Sequence, residues 1–138
     1  MDTESFVALL NEDLETEYQS IVQYINHIAT ITGAEFLSII GELKVHLGQE
    51  LIHAQTLAGQ VSFLGGEPTT KVAPVQTARD GKAALTADLA LESSQLDRYR
   101  ERFSQANELG LADVAEALRP LLEQTQEHVR DLKTALGD

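Results

Sequence analysis

Glu50-Leu51-Ile52-His53 sets a glutamate and a histidine three residues apart. On a helix that spacing turns through about 300°, so both side chains project to one side and can share a cation. Glu17 stands between Leu14 and Ile21, and Glu92 between Leu89 and Leu96, each on an apolar stripe. A carboxylate on such a stripe faces a core, where it needs a cation, a hydrogen bond or a metal to offset lost hydration. His128 is a fifth group of this kind. Singly, each reads as a helix-edge or surface residue with its head in water. Together they form a donor set for divalent metals. Carboxylates neutralise and bridge adjacent cations, and neutral imidazole adds a strong ligand without adding charge. The chain has no cysteine, which excludes thiol catalysis, disulfides, iron–sulfur clusters and cysteine-type zinc sites.

Helices must position these groups. From about Thr3 to Ile31, Phe6, Leu9, Leu10, Leu14, Ile21, Ile25 and Ile28 recur at helical spacing. Thr32-Gly33-Ala34-Glu35 has the form of a capping box and predicts that a second helix starts there. That helix runs to Leu64 and stops at Gly65-Gly66-Glu67-Pro68. Residues 65 to about 80 carry two of the three prolines and no clear period. A third helix is predicted from about Asp80 to Leu109, ending at Gly110. A fourth runs from about Leu111 to Leu136, ending at Gly137. Pro120 predicts a kink in that helix, or its true start. Short outer joins force antiparallel neighbours, and the long middle join lets the chain cross back. The expectation is an all-α four-helix bundle with one long crossover between the second and third helices, a single domain over residues 1–138.

An internal repeat supports two hairpins of one kind. At an offset of 75 residues, Glu17 maps to Glu92, Tyr24 to Tyr99 and His53 to His128. Leu10, Leu14, Ile21, Ile28, Leu43 and Leu57 map to Leu85, Leu89, Leu96, Phe103, Leu118 and Leu132. One glutamate from each of two helices, with Glu-x-x-His from the other two, is the ligand arrangement of di-iron and di-manganese bundles.

Composition bounds the partners. Twenty-two acidic against ten basic residues give a formal net charge of −12, which disfavours a nucleic-acid backbone and suits a cation. No apolar run approaches membrane-spanning length and no basic-then-apolar leader opens the chain, so a cytoplasmic protein without a membrane segment is expected.

Several segments resemble bacterioferritin. They are Glu17 to Tyr24 with His27, Glu50-x-x-His53, Phe63-Leu64-Gly65-Gly66-Glu67-Pro68 and Asp88-Leu89-Ala90-Leu91-Glu92. The likeness covers nearly the whole chain. It implies a ferritin-like bundle whose Glu17, Glu50, His53, Glu92 and His128 match ferroxidase-centre ligands, with Glu50 bridging two iron ions. It implies Fe(II) oxidation by oxygen or peroxide. Tyr24 would match a tyrosine beside the metals, acting there as a hydrogen-bond donor or redox-active group; with Tyr99, it reads equally as core packing. The sequence departs from that pattern at three points. Thr125 stands where a second bridging glutamate is expected, with Glu123 and Glu127 able to replace it only if Pro120 re-aims the helix. Leu51 stands where the family's haem methionine would be, and Met1 is the sole methionine, so no haem is expected. The chain ends after the fourth helix, without the family's short fifth one, which weighs against a storage cage. Three glutamates and two histidines also resemble the ligands of manganese catalase, so di-manganese peroxide disproportionation is an alternative. A degenerate bundle acting as an interaction protein is another.

Two features remain. Gly41, Gly48 and Gly59 line one face of the second helix, roughly opposite Glu50 and His53. Interior helix glycines cost about 1 kcal/mol each relative to alanine. Either an antiparallel homodimer closes on that face, or bulky neighbours fill it within the monomer. His46, one turn before Glu50, reads as a bundle-edge residue, an extra ligand or a stop on a metal path.

Overall fold

The computed structural model describes residues 1–138. Four helices, α1 (Thr3–Thr30), α2 (Leu37–Phe63), α3 (Gly81–Glu108) and α4 (Ala112–Leu136), make up the bundle. Two begin on aspartate caps. Asp2 accepts from the Ser5 amide at 2.8 Å, and Asp80 accepts from the Ala83 amide at 2.9 Å. Each bond satisfies an amide that the first turn leaves without a partner. Gly110 and Gly137, at φ 75° and 81°, let the chain leave α3 and α4 in the left-handed region, where a side chain would be strained.

Each helix packs against two neighbours, in the order α1, α2, α4, α3 around the bundle. Residues 64–80 form the crossover, which returns along α1. Asn11 bonds the Glu67 carbonyl, Tyr18 that of Thr69, and Gln23 accepts from the Gln76 amide. The crossover therefore makes α2 and α3 parallel, as the long middle join requires.

The interior is divided. One apolar cluster, with Phe6, Leu10, Leu14, Leu57, Val61 and Leu118, fills one end of the bundle. A smaller one, with Ile31, Ile39, Leu43, Leu85 and Leu132, fills the other. Between them lies a buried polar layer that includes Glu17, Glu50, His53, Glu92 and His128.

Three expectations need correction. No capping box opens α2: Gly33, at φ 117° and without a side-chain cap, reverses the chain into a 3-10 turn over Ala34–Phe36. Of the two expectations for Pro120, the helix start is overturned, since α4 begins at Ala112 and runs through it. Pro120 and Glu116 are both exposed, so water can reach the carbonyl that loses its amide partner. Ile25 leaves the apolar stripe of α1 and is 54% exposed.

Candidate metal centre

The four helices deliver the five predicted side chains to one place. Glu17 comes from α1, Glu50 and His53 from α2, Glu92 from α3 and His128 from α4, and none exposes more than 1% of its surface. Glu17, Glu50 and His53 offer ligand atoms within 4.8 Å of one another; so do Glu50, Glu92 and His128. Glu50 is common to both groups. His53 Nδ1 lies 3.6 Å from Glu17 Oε1 and 3.4 Å from Glu50 Oε2. His128 Nδ1 lies 2.9 Å from Glu50 Oε1 and 3.3 Å from Glu92 Oε2.

The outward nitrogens of the two imidazoles are already taken. His53 Nε2 donates to Gln124 Oε1 at 2.7 Å, and His128 Nε2 donates to Gln49 Oε1 at 2.5 Å. With Nε2 held as the donor to a glutamine, Nδ1 is the nitrogen that faces inward and the one a metal would take on losing its proton. Gln49 and Gln124 are themselves 75 residues apart. The repeat thus carried a signal for these two residues that the metal-ligand pattern did not.

Hydrogen bonds from α1 and α3 hold the carboxylates. Tyr24 donates to Glu92 Oε1 at 2.9 Å, and Tyr99 donates to Glu17 Oε1. Gln95 adds a bond to Glu17 Oε1 at 3.0 Å. Burial, then the neighbouring carboxylates, pushes both phenols well above their ordinary range, so both stay protonated donors.

Packing three carboxylates together sets their protonation. Burial, then Glu17 and Glu92, pushes the Glu50 carboxyl well above its usual range. Burial also works to raise Glu92, but the hydrogen bond and charge of His128, with Glu50 and Tyr24, outweigh it and hold that carboxyl at about 2. Without a cation, then, the shared carboxyl is the one of this pair that burial and its neighbours bias toward the protonated form. Glu17 Oε2 and His53 Nδ1 are buried and lack any hydrogen-bond partner, and Glu50 Oε1 has only its close contact with His128 Nδ1. Unpaired atoms of this kind are costly in a dry interior. Cations between them would satisfy all three, so the donor set fits a metal pair.

Thr125 occupies the repeat position of Glu50. It is buried, and its Oγ1 also lacks a partner. Glu123 and Glu127 are exposed, so neither replaces the absent carboxylate. Around Gly41, Gly48 and Gly59, no atom beyond the helix's own lies within 4 Å of an added Cβ. Bulky neighbours within the monomer therefore do not explain these glycines. Val45, Ile52 and Phe63 are exposed on the same helix.

Residues 7–138 match the family model described as a ferritin-like domain. The chain belongs to the ferritin-like family. Bacterioferritin of Desulfovibrio desulfuricans is 25% identical over 124 residues, 89% of this chain and 69% of that one. Bacterioferritin of Mycobacterium leprae is 25% identical over 130 residues, 94% of this chain and 82% of that one. Among solved structures, a ferritin-like, diiron-carboxylate protein from Bacillus anthracis superposes with a TM-score of 0.92 at 28% identity, covering 99% of both chains. The dodecameric thioferritin of Bacteroides fragilis, described as bacterioferritin-related, gives 0.89 at 26% identity, covering 100% of this chain and 88% of that one. This ferritin-like chain is thus bacterioferritin-like along nearly its whole length. None of its helices is long and apolar enough to cross a membrane.

Proposed function

We propose that this ferritin-like protein is a ferroxidase, handling iron by oxidising Fe(II) with oxygen or peroxide at a pair of metal positions. The observation that carries this reading is the shared Glu50. Two Glu/His groups meet at one carboxylate, and each has an inward imidazole nitrogen set free by an outer glutamine. Glu17 and His53 would hold one ion, Glu92 and His128 the other, and Glu50 would bridge them. Bound as substrate, two Fe(II) give up two electrons, and O2 takes these with two protons to form hydrogen peroxide. With peroxide as oxidant, the same electrons and two protons give two waters.

The chain's own residues supply position and protons. Tyr99 and Gln95 fix Glu17, Tyr24 fixes Glu92, and the apolar clusters on either side limit water access. A cation at Glu50 would offset the burial and carboxylate repulsion that favour a proton there. Tyr24, hydrogen-bonded to Glu92, would tune the pair through that carboxylate. Tyr24→Phe is expected to slow oxidation while leaving the number of irons bound unchanged; an unaltered rate assigns Tyr24 to packing.

The deciding experiment loads the metal-free protein with Fe(II) and counts iron oxidised per chain. We expect acceleration well above a no-protein control, saturation near two irons per chain, and loss of both in Glu50→Ala with helicity retained. Undiminished binding in that variant would sink the site assignment. The three-glutamate, two-histidine set favours one second reading, a di-manganese centre that disproportionates peroxide. Peroxide breakdown by the manganese-loaded protein, with no Fe(II) oxidation, would select it.

Assembly follows the open glycine face. We propose an antiparallel homodimer across Gly41, Gly48 and Gly59, with exposed Val45 and Ile52 as the surface to cover. A monomeric mass by light scattering would remove it.

A further inference from the structure

Outside the five-residue centre, one buried titratable group is unexplained by packing or by the repeat. His46 is 1% exposed, yet its counterpart at the 75-residue offset is Leu121, an ordinary core residue. Its ring stacks on that of His128 with centroids 4.0 Å apart. Its Nδ1 has no hydrogen-bond partner. Its Nε2 meets Asp131 Oδ2 of α4 at 3.0 Å, while ligand atoms of Glu42, His46 and Asp131 all lie within 4.8 Å of one another. Glu42 and Asp131 line a solvent-open cavity of about 320 Å³ between α2 and α4. Neither carboxylate pairs with a lysine or arginine; His46 is the sole ionic partner of Asp131.

We propose that Glu42, His46 and Asp131 form a third, mononuclear site for a divalent transition metal, on the α2–α4 face and one imidazole outside the dinuclear centre. Two ligand atoms about 2.1 Å from an ion and at right angles lie about 3 Å apart, the separation of His46 Nε2 and Asp131 Oδ2. The imidazole selects a transition metal over Mg2+, which prefers oxygen ligands and keeps its waters. Two carboxylates balance a divalent charge, and the open cavity leaves room for water as further ligands. Glu42 is held by nothing else, so it can swing onto the ion.

The site is tested with Co(II), titrated into the metal-free protein in excess Mg2+ and followed by calorimetry and by the visible absorption of the bound ion. Wild type is expected to take three ions per chain. Asp131→Asn and Glu42→Gln, both at solvent-facing carboxylates, should take two. Glu50→Ala should lose the inner pair and keep one. Two ions in wild type, or three retained in both outer variants, would overturn the third site and leave the dinuclear reading intact. A full complement in Glu50→Ala would sink the dinuclear reading, while loss of one ion in Asp131→Asn would still uphold the outer site.

Discussion

The α1–α2 and α3–α4 hairpins build the same centre from residues 75 apart, and they differ where the two sides meet. Glu17 and Glu92, His53 and His128, Gln49 and Gln124, and Tyr24 and Tyr99 occupy equivalent places. Each side thus owns a terminal carboxylate, an imidazole, the glutamine that holds the opposite imidazole and the tyrosine that steadies the opposite carboxylate. Farther out, Asp88 of α3 meets His27 of α1 at 2.9 Å, and Asp13 of α1 meets Arg102 of α3 at 2.9 Å. There the donor to the aspartate has changed from the His27 imidazole to the Arg102 guanidinium without loss of the pair, because a hydrogen bond to the carboxylate suffices. The bridge is different. The counterpart of Glu50 is Thr125, buried in its turn, and a hydroxyl cannot supply the missing charge. Three carboxylates against two divalent ions leave the proposed pair one negative charge short. Under the proposed reading, each half has what one ion needs, while only the first half has what two ions would share.

Breaking the shared element should have the largest effect. Glu50→Ala removes the one carboxylate common to both groups, so both ions are expected to be lost and Fe(II) oxidation to fall to the uncatalysed rate, measured by iron count and absorbance. The outer glutamines come next. Gln49→Leu frees His128 Nε2, and Gln124→Leu frees His53 Nε2, and each should weaken the ion of the histidine it frees by about 10–100-fold. Calorimetric titration should show one step shifted and the other retained. If both variants weaken both steps equally, the two sides do not act as separate half-sites. Thr125→Glu restores the symmetry. It should tighten metal binding by roughly tenfold, about 1.4 kcal/mol, seen by competition with a chelator. Unchanged or weaker affinity would mean that α4 aims position 125 away from the ions. The smallest effect concerns protons. Burial and its two carboxylate neighbours raise Glu50, so a cation must compete with protons for that carboxyl. Acid should therefore weaken binding, and calorimetric titrations at falling pH should show the affinity drop; an affinity independent of pH would remove this competition.

Much of the centre was legible because ligand chemistry and helix period coincide. Glu17 and Glu92 betray themselves as carboxylates on apolar stripes, and Glu50 and His53 by a spacing that puts both on one face. The outer glutamines did not, since a glutamine on a helix has many ordinary uses. Their role appears only when α2 and α4 set Gln49 against His128 and Gln124 against His53. Ile25 shows the converse failure. It has the right period for the core, but that side of α1 is left uncovered within the chain.

By itself the sequence determined four helices, their crossover, and which polar residues turn inward, because these follow from local periodicity, turn chemistry and the cost of a carboxylate on an apolar face. The tertiary structure decided which atoms meet. It made Glu50 common to both groups, faced each imidazole's outer nitrogen to a glutamine, left the glycine face open, and placed Asp131 against His46. These are contacts between helices, set by how side chains from distant segments pack, and no spacing along one chain contains them.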